Sequence, residues 1–456
     1  MQEHNIVNIE NKIELKNLKE KQFYNFIPSE IAEHLLKLER LEGNGWIYVV
    51  EEDRFYKYEA ERGYWMKKDT DYLKVLIRNL LNEIREKWEK RSKINEIYDA
   101  VKSLSIDKNN FKLMDYSMNQ FPNHINLENG MLNLDKQELV QHNPEYYSQV
   151  QLPVKYDSNA KCNTWKKAME SWVPDVNSRM FLQEYIGYCL IPDTSAQLAV
   201  ILLGSGSNGK STFLETISAL FGRENLSSIP LQKLSNKFEI GYVKDKLINI
   251  CSDIDPTYMK ETGFIKTLIH GEMLRGEYKG GKSFDFSPVT RLIFSANELP
   301  RVRDKSEGWY RSFEFVKFPN SFNKNDENYD PHLKAKLINE MPGIFNWALE
   351  GLLRYKKNRQ FTESVSLKRE KRKYKNSNDT IAAFLEDETT KKDNEFVPGE
   401  YLYKQYKYYC EDEYLKPQSR QTFSTTLGNR GFISKPTYNK KTGKSVRCYH
   451  GLIYQK

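Results

Sequence analysis

Residues 204–212 read GSGSNGKST, and Gly204, Gly209, Lys210 and Ser211 stand at the G-x-x-x-x-G-K-[ST] spacing. Glycines at such positions let successive backbone N–H groups face a phosphate, and a helix starting there adds a favourable dipole. The candidate cradle is Gly204, Ser205, Gly206, Ser207, Asn208, Gly209, Lys210, Ser211 and Thr212. The ligand expected is ATP, with Lys210 reaching its β- and γ-phosphates and the Ser211 hydroxyl binding Mg²⁺. The bland alternative is a flexible Gly/Ser loop. Against it stand the flanks: AVILL before the loop has the pattern of a buried strand, and STFLETISALFG after it that of a helix closed by Gly222.

Hydrolysis of a bound nucleotide also needs an acidic strand end. KLINICSDID supplies Asp253 and Asp255, two residues apart, so on an extended chain both carboxylates point to one side. Asp253 is the first choice to hold Mg²⁺ and polarise the attacking water, with Asp255 in reserve. An Asp-rich turn before Pro256 and a polymerase-type or primase-type metal motif are the rival readings; the position of Asp253, 43 residues after Lys210, favours the ATPase. RLIFSANELP predicts a third strand ending at Asn297, whose amide could orient that water, or could be an ordinary turn residue. Between these strands, LRGEYKGGKSFDFSP predicts a hairpin with Gly280-Gly281 at a two-residue turn. Lys279 and Lys282 beside that tip suit a nucleic-acid phosphate, the alternative being a solvated hairpin end.

These residues need elements to hold them. A chain of 456 residues, 39% hydrophobic and 29% charged with 29 Tyr and 23 Phe, is too aromatic for disorder and long enough for several domains. The expected class is multidomain α/β. A small α+β domain is predicted over 1–120, where WIYVVEEDRFYKYEAERGYW precedes a long helical pattern. Residues 121–195 should hold a strand hairpin, INLENGMLNLD, then helices carrying Trp165, Met169, Trp172, Met180, Tyr185 and Ile186. The ATPase is expected over 196–352, a charged linker or exposed helix over 353–378, and a winged helix over 379–456. In that last domain Arg420, Gln421, Ser424 and Thr425 would face base edges, and Lys440, Lys441 and Lys444 would face phosphates. A domain that docks only on another protein is the alternative.

Net charge is +8, yet from Arg354 onward 23 Lys plus Arg stand against 12 Asp plus Glu, so the positive excess lies at the carboxyl end. The five cysteines are scattered, supporting neither a zinc site nor a disulfide framework. The longest apolar run, LAVILL, is far short of a membrane span, and the amino terminus does not read as a secretory signal. A cytoplasmic location without membrane contact is expected.

The runs YIGYCLIPDTSAQLAVILLGSGSNGKST, NICSDID, the KGGK hairpin, FSANELP, GWYRSFEFVKFP and PGIFNWALEGLL, taken in that order, resemble superfamily three helicases. The resemblance is to the phage/plasmid primase-helicase family, with poxvirus primase-helicase more distant. The whole layout is loosely similar to replication initiators of staphylococcal pathogenicity islands and related cassettes. The resemblance implies a AAA+ ring, usually a hexamer, that moves on single-stranded DNA, typically 3′ to 5′, with host replication proteins as possible partners. It further implies that Arg311 completes the ATP site of the next subunit and that Lys279 and Lys282 line the channel. Tyr310 departs from a pattern in which many relatives carry a second arginine, a role that Arg301 or Arg303 could take. About 120 amino-terminal residues are few for a primase domain, so primer synthesis is not expected. A winged-helix regulator switched by ATP without unwinding is the alternative function, and a small-molecule kinase leaves the basic carboxyl-terminal region unexplained.

Overall fold

The computed structural model describes residues 21–50, 52–106, 123–259, 261–278, 283–323, 325–326, 329–439 and 444–455. The first helix, α1 (Pro28–Leu41), has Pro at its start, where a missing N–H costs nothing. A three-stranded meander follows, β1 (Gly45–Val49), β2 (Arg54–Glu59) and β3 (Tyr64–Lys68), and then α2 (Thr70–Arg85) and α3 (Arg91–Leu104). Trp46, Tyr48 and Phe55 on the meander pack with Ile31, Leu73, Ile77 and Ile97 of the helices in one apolar core. The aromatic run therefore serves as sheet core.

A second meander consists of β4 (His124–Leu127), β5 (Gly130–Asn133) and β6 (Glu138–Val140). Leu127 pairs with Gly130, so Glu128 and Asn129 form the turn and Gly130, at φ +149°, is already in the ladder. The expected hairpin is present, with a third strand added. It leads into α4 (Asn163–Trp172) and α5 (Val176–Tyr188).

The central sheet is wholly parallel. Its strands are β7 (Ala199–Leu203), β8 (Leu226–Ser227), β9 (Ile248–Cys251), β12 (Arg291–Ala296) and β13 (Phe313–Lys317), in the spatial order β13-β7-β12-β9-β8. Parallel sheets need cover on both faces, which explains the near-continuous burial of AVILL, INIC and RLIFSA. The chain leaves β7 into α6 (Lys210–Phe221), and α7 (Lys237–Ile240) and α8 (Gly263–His270) flank β9. The antiparallel hairpin of β10 (Leu274–Glu277) and β11 (Ser283–Phe286) projects before β12. Its last pair is Glu277 with Ser283, so five residues, 278–282, separate the strands. The Gly280-Gly281 turn expected between these strands lies outside the described residues.

After α9 (Glu307–Arg311) and β13 come α10 (Leu333–Asn339) and α11 (Met341–Asn358). Helices α5 and α11 lie so close that a Cβ on Gly187 would meet the Ala348 carbonyl oxygen at 2.2 Å, and one on Gly351 the Gln183 oxygen at 2.1 Å. Beside them Glu184, wholly buried, accepts hydrogen bonds from Arg354 Nε (2.5 Å), Thr362 N (2.6 Å) and Thr362 Oγ1 (2.7 Å). A buried carboxylate is tolerated when each oxygen is paired in this way.

Of the two expectations for the charged segment, linker or exposed helix, it is a helix over much of its length, α12 (Val365–Asn378), lying against β13. Tyr374 enters the core beneath the sheet and donates its hydroxyl to the Pro300 carbonyl (2.9 Å), while Lys371 pairs with Glu314. The last unit runs α13 (Thr380–Glu388), β14 (Thr389–Pro398), α14 (Gly399–Asp412), α15 (Arg420–Asn429), β15 (Ser434–Asn439) and β16 (Lys444–Tyr454), its strands ordered β14-β16-β15. The unit has three helices, with β14 between the first two, and its last two strands pair antiparallel. Strand β14, TTKKDNEFVP, has strand-forming residue types only at its two ends, and it is these ends that pair with β16.

Because backbone already fills the space beyond both glycines, Gly351→Ala should overpack the α5–α11 crossing and cost about 1–3 kcal/mol. The check is the urea midpoint of the full chain; a parent-like midpoint would show that the crossing can open without penalty.

Candidate active site

Three strand ends meet at the carboxyl edge of the parallel sheet, the usual ligand position in open α/β folds. From β7 comes the glycine loop. Gly206 at φ +111°, Ser207 at +48° and Gly209 at +86° turn it back on itself, and Gly209 sits immediately before α6. No side chain fits at two of its glycines: a Cβ on Gly204 would come within 1.9 Å of Asn208 Nδ2, and one on Gly209 within 2.3 Å of Trp172 Nε1. The chain after β13 clamps the loop, with Phe318 N donating to Leu203 O, Phe322 N to Ser207 O, and Asn208 Nδ2 to Phe318 O (3.4 Å).

Lys210 is 5% exposed. Its ammonium donates to Gly204 O (2.6 Å), Asn208 Oδ1 (3.0 Å) and Asn297 Oδ1 (3.3 Å). All three acceptors are neutral. Burial pulls the lysine pKa below its ordinary value, and the field of Asp253 opposes that shift. Asn297, one residue beyond β12, thus faces the same point as the loop.

Asp253 and Asp255 do not act as a pair. Asp253 adopts φ +54°, with its N–H donating to Ser295 Oγ (3.2 Å) while Ile254 N donates to Ser295 O (2.9 Å). This left-handed turn breaks the extended run, so the two carboxylates diverge. Asp253 lines the cavity beside the loop, whereas Asp255 Oδ1 accepts from Thr257 N (2.9 Å) in a local turn. Ser295, which sets this geometry, has no signal in the sequence beyond its place in a strand.

The cavity has a volume of about 800 Å³ and is bounded by Gly206 through Thr212, Asp253 and Asn297. Gly204 and Ser205 stand at the strand end behind it. It is also lined by Thr164, Lys167, Ala168, Ser171 and Trp172 from α4, and by Phe322, Tyr329, Asp330, Pro331, Leu333 and Lys334. These residues are distant in the chain and no local pattern marks them. Among the described residues, no group of three His, Cys, Asp or Glu side chains is placed to hold a metal. Ser211 and Asp253, the two residues expected to hold a divalent cation, both line the cavity.

Arg311 lies elsewhere. It is exposed at the end of α9, just before β13 begins, and Ser312 O accepts from Ala199 N at the start of β7. It is therefore at the amino edge of the sheet, a strand length of roughly 16 Å from the loop. Tyr310 points inward, with its ring 5.9 Å from that of Tyr374. That burial makes position 310 a core position, while Arg301 and Arg303 are exposed.

Lys279, Lys282, Lys440 and Lys441 lie outside the described residues, as does the side chain of Lys444. Arg420, Gln421, Ser424 and Thr425 share the exposed face of α15, opposite buried Phe423 and Leu427. A groove of about 710 Å³ separates Arg420 and Ser424 from Ser445 and Arg447 on the terminal hairpin. No helix among the described residues is long and apolar enough to cross a membrane, and all five cysteines are free and buried.

Three families match successive parts of the chain: one described as "D5 N terminal like" over residues 32–174, a "Family of unknown function (DUF5906)" over 202–311, and one described as "Poxvirus D5 protein-like" over 376–451. The chain is similar to "Putative helicase L207/L206" of Acanthamoeba polyphaga mimivirus, 26% identical over 161 residues, covering 34% of this chain and 17% of that protein. It is also similar to "Putative helicase 121R" of Invertebrate iridescent virus 3, 23% identical over 313 residues, covering 60% of this chain and 33% of the relative. The chain thus spans a third or less of either relative. Among solved structures, the apo C-terminal region of NrS-1 superposes with a TM-score of 0.51 at 14% identity, covering 91% of this chain and 98% of that one, which is a likeness of fold. The two D5-type regions and the two viral relatives support a D5-type primase-helicase family for this chain.

Proposed function

We propose that the chain is an ATP-dependent DNA helicase and replication initiator of a mobile element such as a phage, plasmid or pathogenicity island, acting in the cytoplasm. The observation that carries the reading is the buried Lys210 ammonium, held by three neutral oxygens at the mouth of a glycine loop. A cation so far from water favours an anionic ligand, and the loop's N–H groups at the head of α6 suit a phosphate. Bound ATP with Mg²⁺ supplies a phosphoryl group whose transfer to water releases the free energy for movement. Toward that group Lys210 neutralises phosphate charge, Ser211 and Asp253 hold the cation, and Asp253 with Asn297 orients the water.

The site is incomplete within one copy. The position of Arg311 at the opposite edge of the sheet favours a role toward a neighbour's nucleotide, which asks for a ring, in our reading a hexamer. The β10–β11 hairpin, with Lys279 and Lys282 in the sequence that joins its strands, would follow single-stranded DNA through that ring, typically 3′ to 5′. The order helix, strand, two helices and hairpin in the last unit supports a winged helix, with α15 reading origin bases and Lys440, Lys441 and Lys444 meeting phosphates. Primer synthesis is not part of the proposal.

Lys210→Ala should abolish nucleotide hydrolysis and unwinding while duplex binding persists, as read by phosphate release and a forked-substrate assay. Normal turnover would remove the site assignment, and turnover without any strand separation in the parent would favour an ATP-switched regulator.

Arg311→Ala should keep nucleotide binding and lower hydrolysis by roughly 10³-fold. Mixed with Lys210→Ala, some interfaces regain one intact loop and one intact arginine, so activity above both separate variants is expected. Loss of nucleotide binding by Arg311→Ala alone would argue against action in trans.

Arg420→Ala with Gln421→Ala should cost about 1–3 kcal/mol of origin preference for each side chain that reads a base, with hydrolysis unchanged. Competition between origin and unrelated duplex measures it, and undiminished preference would move recognition off α15.

A further inference from the structure

The lining of the cavity contains a donor that the glycine-loop pattern does not. Trp172 is the last residue of α4 and is 3% exposed. The atoms nearest to a Cβ built on Gly209 are Trp172 Nε1 at 2.3 Å, Cδ1 at 2.4 Å and Cε2 at 2.6 Å. The pyrrole edge of the ring, which bears the N–H, therefore meets the loop one residue before Lys210, and the residue lines the cavity. An indole nitrogen can only donate, and among the described residues this one has no protein acceptor.

The ring is also held still. Trp165 meets it edge-on at 5.9 Å and stacks at 5.6 Å on Phe213 of α6, whose ring in turn lies 5.9 Å from that of Phe318. Asn320 Nδ2 donates to Ser171 O (2.7 Å) and ties the preceding residue to the segment after β13. An aromatic ladder thus locks the end of α4 to the helix that follows the loop. A donor fixed in this way loses little entropy when it captures a ligand.

We propose that the Trp172 indole N–H donates to a phosphate oxygen of the nucleotide, so that the phosphates are gripped from α4 as well as from the loop. The proposal rests on the ATP-site reading above and adds to it a hydrogen bond from outside the loop. Lys167, Ser171 and Thr164 share its wall and would lie toward the remainder of the nucleotide.

Two measurements on the full-length chain test this. In the first, Trp172→Phe, which keeps a ring and loses the donor, is titrated with ADP by calorimetry beside the parent and Lys210→Ala. A hydrogen bond to a charged oxygen predicts roughly tenfold or more weaker binding, together with a smaller ADP-induced rise in melting temperature measured from the variant's own ligand-free value. Parent-like affinity in Trp172→Phe, while Lys210→Ala binds poorly, overturns the proposed hydrogen bond and leaves the site reading intact. A parent that binds no ADP overturns the site reading itself.

The second measurement needs no substitution, so it decides the matter if Trp172→Phe does not fold. The protein has seven tryptophans, and with ¹⁵N-labelled tryptophan one indole N–H resonance should move downfield on addition of ADP and of inorganic pyrophosphate. No movement with either ligand overturns the proposal. Movement with ADP alone also overturns it, because it places the indole against the sugar or base.

Discussion

A lysine ammonium that has left water must find negative charge or strong dipoles, and Lys210 meets only carbonyl and amide oxygens. These acceptors arrive on two separate pieces of chain. Gly204 and Asn208 belong to the loop after β7, and Asn297 follows β12; these strands lie side by side and parallel. Parallel pairing brings both chain ends out at one edge, and Asp253 after β9 joins them there. If the sheet had been antiparallel, the same residues would have been split between its two edges. The arrangement of the site is thus a consequence of strand direction, and the amine's unmet charge a consequence of the arrangement.

The rest of the molecule is built out from that sheet. Helix α12 lies along β13 through Tyr374 and Lys371, and the junction after it is tied by Asp379, which caps α13 through Ala382 N and pairs with Lys305 (3.2 Å) and Arg430 (3.1 Å). Arg430 directly follows α15, so the helix proposed to read DNA is anchored to the loop that precedes α9 and Arg311. On the other side, Glu52 and Lys67 of the amino-terminal unit pair with Lys244 and Asp245 just before β9. Lys244 also lies 5.3 Å from the Phe284 ring on the hairpin strand β11. Part-buried pairs of this sort position elements more than they stabilise them. Both outer units therefore touch the central one at segments that lead to functional residues.

Much of this is legible locally. The glycine loop carries its own context, because buried-strand and helix patterns stand on either side. The ends of β9 and β12 are marked by polar residues after apolar runs. Helix α1 also has local signals, a Pro at its start and apolar Ile31 and Leu35 four residues apart. Where the local reading fails, it fails by assuming continued extension. Asp253 takes a left-handed conformation and sends Asp255 away from the site. A run of charge with the composition of a linker or an exposed helix hides a tyrosine that belongs to the core.

The chemistry proposed for the chain rests on features of its sequence: a glycine loop before a lysine, acidic and amide strand ends, lysines between β10 and β11, and a basic carboxyl-terminal region. Each is encoded within a short run of adjacent residues, where spacing and backbone propensity suffice. Which groups share a space is a matter of the folded molecule alone. Folding brings Trp172 of α4 against Gly209, separates Asp253 from Asp255, places Arg311 at the far edge from the loop, and lays α12 on the sheet. Most of those outcomes depend on segments far apart in the chain meeting in space. Such meetings are set by packing and strand register, which no local pattern records.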